Sequence, residues 1–231
     1  MASATAVVWV VRGDEYHPAS RVDEAIAAAW ADTGWQVHLT CRARDVLAAA
    51  PRLDLAVFFA CGRPSGEAAL SPAEERDLVR RVHDGMGLLR VHAGLVLIEP
   101  ASPLCLELNT GRFVSHPPSD GGVEYPVVYA PVRPVRHPVV AGVEAFGGRD
   151  EHYWCQVAVE RTEVLLAGTS AVGTSVAGWA HAAGAGRVAC LTPGHTSEVL
   201  LHPMMQRLLR QAAAWCGRSS GQGGSAAPGE P

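Results

Sequence analysis

The 231-residue sequence contains no lysine; all 19 of its basic residues are arginine. A lysine Schiff base, a P-loop lysine and a lysine general base are therefore excluded. Arginine alongside abundant alanine and glycine also fits GC-rich coding. No apolar run approaches the roughly 20 residues needed to span a bilayer. Residues 1–5 carry no basic stretch ahead of the first apolar run, so no signal peptide is read. The six cysteines, Cys41, Cys61, Cys105, Cys155, Cys190 and Cys216, form no CxxC pair and no dense framework. Reduced thiols in a cytoplasmic protein are the expectation. Charged residues are only 18% and the net charge is -4, so no global field draws the chain to nucleic acid or membrane. No internal repeat is present.

What is there suits one α/β domain with an ample core, since 48% of residues are hydrophobic. Residues 1–5 read as a flexible start, 6–216 as the domain, and the Gly/Ser/Pro-rich stretch 217–231 as a disordered tail. Apolar strands are expected at 6–11, 36–39, 55–60 and 88–91. Helices are expected at 21–30, 44–50 and 71–83, the last opened by the capping box Ser71-Pro72-Ala73-Glu74. Three strand–helix alternations argue for a doubly wound parallel sheet with right-handed crossovers. Beyond Gly94 the pattern changes. It predicts a short helix at 103–108, a polar loop at 111–122 and strands at 123–129, 155–159, 164–167, 176–180 and 187–191. A terminal helix is expected over 198–215.

The organising stretch is 87–94, in which a short apolar strand turns at His92-Ala93-Gly94. Open α/β sheets place their ligands at the carboxyl ends of such strands. There His92 can coordinate a metal, move a proton or hydrogen-bond a ligand; equally, a neighbouring carbonyl can cap it. His17, His116 and His195 also stand beside turn residues at element exits, and His152 follows Asp150 and Glu151. Brought to one edge, five imidazoles and two carboxylates can ligate zinc, manganese or iron, or form a metal-free acid–base site. Tyr153 and Trp154 offer a sugar-stacking platform. Arg63, Arg90 and Arg112 lie near the expected cleft, where Arg63 and Arg112 can bind a hydroxyl-rich ligand. Cys61 follows a strand, but a buried core thiol is its plainer role. Gly184-Ala185-Gly186 is too short for a dinucleotide fingerprint, so no nucleotide cofactor is expected.

Residues 88–94, Gly111-Arg112-Phe113 with His116, Asp150-Glu151-His152-Tyr153, Pro193-Gly194-His195-Thr196 and the 203–215 segment resemble the ThuA-like (trehalose-utilisation) family in order and kind. The resemblance implies a class I glutamine-amidotransferase-like fold, a flavodoxin-like three-layer sandwich. Its central sheet is mainly parallel, with extra antiparallel strands in the C-terminal half. It also implies that His92 stands where true amidotransferases carry their cysteine nucleophile, so glutaminase activity is not expected. A link to oxidised disaccharides, and a bound metal in some members, are likewise implied.

Together these readings give an enzyme acting on a sugar or keto-sugar by hydrolysis, elimination or isomerisation. A divalent metal would be held among His92, His116, His152 and His195, with His92, Glu151 and Asp150 as catalytic groups. His17, Arg63, Arg112, Tyr153 and Trp154 would contact substrate. The competing readings are a non-catalytic carbohydrate-binding module in the same cleft and a cysteine hydrolase centred on Cys61. A carbohydrate-like small molecule is the expected partner, and a second copy of the chain is another candidate.

Overall fold

A computed structural model describes residues 5–49, 53–62, 66–96, 100–118 and 123–217. Residues 1–4 of the expected flexible start, 218–231 of the expected tail and Arg63 lie outside the described residues, as do 119–122 of the expected polar loop. The first half alternates as the hydrophobic pattern requires: β1 (Val7–Val11), α1 (Ala19–Trp30), β2 (Gln36–Thr40), α2 (Ala43–Ala48), β3 (Leu55–Phe58), α3 (Pro72–His83) and β4 (Gly87–Val91). β3 and β4 are buried at every position, which is why their sequences do not alternate: β3 is continuously apolar and β4 is apolar except for the buried Arg90. α3 starts where its capping box forms: the Ser71 N–H donates to Glu74 Oε2 at 2.8 Å, and the Glu74 N–H donates to Ser71 Oγ at 3.4 Å.

A π-helical turn (Leu104–Asn109) stands where a short helix was expected. Then come β5 (Gly111–Ser115), β6 (Glu124–Pro131), β7 (Phe146–Glu151), β8 (Trp154–Val157), β9 (Glu163–Ser170), β10 (Gly173–Ala183) and β11 (Gly186–Leu191). The chain closes with α4 (Ser197–Leu200) and α5 (Pro203–Cys216). Two expectations are corrected. Residues 111–115 are a strand, because they pair antiparallel with β8. The terminal helix is two helices, because Pro203 forces His202 out of the helical region (ψ 134°) and restarts the helix behind it.

The main sheet runs β2-β1-β3-β4-β11-β10-β9-β6-β7. Pairings from β2 to β11 are parallel, and those from β11 to β7 are antiparallel. α1 and α5 pack one face through a core that includes Val22, Ile26, Leu208 and Ala212. α2, α3, the π-helical turn and the β5–β8 ribbon cover the other through Val46, Leu78, Val82 and Leu108. This is the three-layer sandwich, and no described helix is long and apolar enough to cross a membrane.

The parallel block places the exits of β1, β4 and β11 on one edge. At β4 the chain turns at once into a 3-10 turn (His92–Leu95) with His92 in the left-handed region at φ 48°. The turn presses its backbone against β3: a side chain at Gly94 would overlap the Phe58 carbonyl. Gly94→Ala is therefore expected to cost at least about 2 kcal/mol, within the range of overpacked cores. Denaturant titration checks this, and wild-type stability in that variant would contradict the account of the turn.

Candidate functional site

Three exits converge. His17, from the loop after β1, His92, from the end of β4, and His195, from the loop after β11, meet Glu151 at the end of β7. Ligand atoms of these four residues all lie within 4.8 Å of one another. The ends of β7 and β11 are tied together by Asp150, which is wholly buried. Its Oδ2 accepts the Tyr129 hydroxyl at 2.8 Å and the Gly194 N–H at 2.9 Å, and its Oδ1 accepts the His195 N–H at 2.7 Å. Gly194 reaches that position at φ 131°, which a side chain would strain. The Arg21 guanidinium also donates to the His195 carbonyl.

Each imidazole is anchored by its outer nitrogen. His17 Nδ1 lies 2.8 Å from Asp14 Oδ1, His92 Nδ1 2.8 Å from the Thr192 carbonyl, and His195 Nε2 3.4 Å from Glu124 Oε1. Carbonyls and ionised carboxylates only accept, so in the neutral rings of His17 and His92 these nitrogens carry the protons. The inner nitrogens His17 Nε2 and His92 Nε2 are then left with lone pairs. His195 faces a carboxylate from each ring nitrogen, and its Nδ1 donates to the His17 Nε2 lone pair at 3.2 Å. Glu151 Oε2 sits 3.2 Å from His92 Nε2 and 3.3 Å from His195 Nδ1. A metal bound tetrahedrally at about 2.0–2.1 Å would set its ligands about 3.3 Å apart. The donor set suits a divalent cation, and the contacts at 3.2–3.3 Å match this spacing.

The charges follow the same geometry. Burial pushes the Asp14 carboxyl up, but the bonds from His17 and from the Cys61 and Tyr16 N–H groups outweigh it and hold it at about 2. Burial raises Glu151 as well, and His195 and His92 overcome this to hold it below the usual carboxylate range. Burial lowers His195, and the Glu151 carboxylate lifts it above its ordinary value. His17 stays below its ordinary value because burial dominates and His92 and His195 add to it. Asp150 is pushed up by burial.

A cavity of about 450 Å³ opens over the group, floored by His17, Glu151 and His195 and walled by Tyr16, Phe113, His116, Val123 and Tyr153. Tyr153 stacks on the His92 ring at 4.3 Å. Cys61 lines the same space. His116 stands in the wall, and His17, read as a substrate contact, stands in the floor. Three expected residues, His152, Arg112 and the stacking residue Trp154, lie outside the cavity lining. His152 is bonded through both ring nitrogens, to Ser170 Oγ at 2.7 Å and Ser175 Oγ at 2.8 Å, and stacks on Trp154. Arg112 pairs with Gln156 and borders a separate cavity behind the β5–β8 ribbon. Asp150, expected as a catalytic group, has its oxygens occupied and positions the β11 exit instead. Asp14, Glu124, Tyr129 and the Thr192 carbonyl were missed. Only Asp14 had a local signal, sitting three residues before His17 in a tight turn.

A family model described as ThuA: Trehalose utilisation matches residues 6–216. No curated protein matches the chain. Among solved structures, a ThuA-like protein of Parabacteroides merdae superposes with TM-score 0.70 at 16% identity, over 97% of this chain and 94% of that one. A cytoplasmic protein of Salmonella typhimurium LT2 gives 0.65 at 11% identity, over 92% of this chain and 99% of that one. The β-galactosidase of Rahnella sp. R3 gives 0.58 at 13% identity, over 90% of this chain but 31% of its own. At these identities the likeness is one of fold.

Without metal, the His195–Glu151 pair makes stability depend on pH. The Glu151 contribution is full above its unfolded value of 4.5 and is lost as pH falls towards the lowered native value. The His195 contribution is full below its unfolded value of 6.5 and is lost as pH rises through the raised native value. Metal-free protein should therefore gain most from the pair between about pH 4.5 and 6.5, and Glu151→Gln should flatten that gain. Denaturation midpoints across pH check it; identical profiles for the two proteins would contradict the pairing.

Proposed function

The chain belongs to the ThuA (trehalose-utilisation) family, and on that premise we propose that it is a metal-dependent enzyme acting on a sugar or keto-sugar. The observation that carries the reading is the convergence of three outwardly anchored imidazoles and one ionised carboxylate on a single point. His17, His92, His195 and Glu151 would hold the ion. When bound, a zinc, manganese or iron ion supplies Lewis acidity towards a substrate carbonyl or hydroxyl.

The chain's own residues do the rest. Asp14, the Thr192 carbonyl and Glu124 fix each ring's tautomer and plane, as outer partners of metal-ligating histidines do. Tyr153 packs flat on His92 and holds its orientation. The cavity, at about 450 Å³, falls in the size range of small-molecule sites. Its aromatic wall of Tyr16, Phe113 and Tyr153 suits the apolar face of a sugar ring. In a keto-glycoside, the carbon beside the carbonyl gives up a proton and its electron pair expels the glycosidic oxygen from the next carbon. That oxygen then takes up a proton. Glu151 Oε1, which makes no hydrogen bond among the described residues, is positioned to receive the first proton. This route needs no carboxylate pair of the kind that glycosidases with an oxocarbenium-like transition state use.

Stripped protein titrated with Zn2+ or Mn2+ should bind one ion per chain. His17→Ala, His92→Asn and His195→Ala should each lose most of the affinity. Asp14→Asn should weaken it about 10–100-fold, and His152→Asn should leave it unchanged. The loaded protein should release p-nitrophenol from a p-nitrophenyl 3-keto-glucoside. A wild-type protein that binds neither ion and leaves the keto-glucoside intact would remove this reading.

A further inference from the structure

The cavity holds one more histidine, outside the four-residue group. His116 follows β5, with its ring 5.7 Å from Phe113 and 6.1 Å from Tyr153, nearly parallel to the latter. Tyr153 in turn packs on His92, so its ring separates the two imidazoles. His116 Nδ1 is sealed from solvent and has no hydrogen-bond partner. Its Nε2 does not share that orphaned state, and the residue lines the cavity.

A buried N–H with no acceptor is more costly, and rarer in proteins, than a buried lone pair left unmatched. The sealed nitrogen is therefore the one without the proton. The ring then carries its hydrogen on Nε2. Phe113 and Tyr153 pack the ring, and neither is charged near neutrality. Glu151 and His195 share the cavity from its floor.

We propose that His116 is a substrate-binding residue whose Nε2–H donates a hydrogen bond to a substrate oxygen at the end of the cavity away from the four-residue group. This rests on the proposed function, and it deepens it by placing a donor on the substrate's far side. In a keto-glycoside held by its carbonyl over the floor, that oxygen is the glycosidic oxygen or a hydroxyl of the departing unit. The role differs from metal ligation, because Tyr153 keeps the ring away from the converging lone pairs.

The test has two arms. Nitrogen-detected NMR of the full chain, assigned with His116→Asn, should show the His116 proton on Nε2; a ring protonated on Nδ1 alone would overturn the proposal. In metal-loaded protein, His116→Gln keeps an amide donor near the Nε2 position, whereas His116→Asn places one near Nδ1. On p-nitrophenyl 3-keto-glucoside, His116→Gln should stay near wild-type kcat/KM. His116→Asn and His116→Ala should lose about tenfold, mainly in KM, with metal content unchanged. Equal losses in all three variants, or loss of the metal, would overturn it. A loaded wild type that ignores the keto-glucoside instead sinks the proposed function, and the tautomer spectrum then decides the inference alone.

Discussion

The structure depends on three imidazoles whose inner nitrogens face one another and a buried carboxylate. Each ring's outer nitrogen is committed to an acceptor: Asp14 for His17, the Thr192 carbonyl for His92 and Glu124 for His195. The inner nitrogens of His17 and His92 then keep lone pairs, that of His195 donates to His17, and Glu151 adds a negative charge among them. Such an arrangement is electrostatically unfavourable unless a proton or a cation sits between its members. The raised pKa of His195 is the protonic answer available to the bare chain. A divalent ion would satisfy all four groups at once.

The fold supplies this convergence. Parallel order across β1, β3, β4 and β11 lines up three strand exits. Asp150, buried at the end of β7, then draws the distant antiparallel edge onto the β11 exit through the Gly194 and His195 N–H groups. That tie brings Glu151, its neighbour, into the group. A fully buried carboxylate is costly, and here three donors compensate it. Its work is to position rather than to react.

Much of the fold was legible because it is written in local chemistry. The capping box of α3, the continuous apolar run of β3, the mostly apolar β4 and the glycine-bounded turn after Val91 each specify their element within a few residues. β5 and β7 were not legible. β7 contains Gly147 and Gly148, poor strand formers, and Gly147 is there because its backbone lies against the Val127 carbonyl. The site divided in the same way. His92 and His195 stand at strand exits, which the alternation pattern locates. In Asp150-Glu151-His152, however, three adjacent polar residues point to three different places, and only the register of β7 against β6 and the turn into β8 decides which joins the cluster. His152 was equally plausible from the sequence, yet Ser170 and Ser175 on β9 and β10, far along the chain, claim both its nitrogens.

The most direct test of the central claim is X-ray absorption at the zinc edge of the zinc-loaded full chain. The account predicts an inner shell of three imidazole nitrogens and at least one carboxylate oxygen at about 2.0–2.2 Å, with no sulfur. A shell with fewer than two imidazoles, or one containing a thiolate such as that of Cys61, would contradict it.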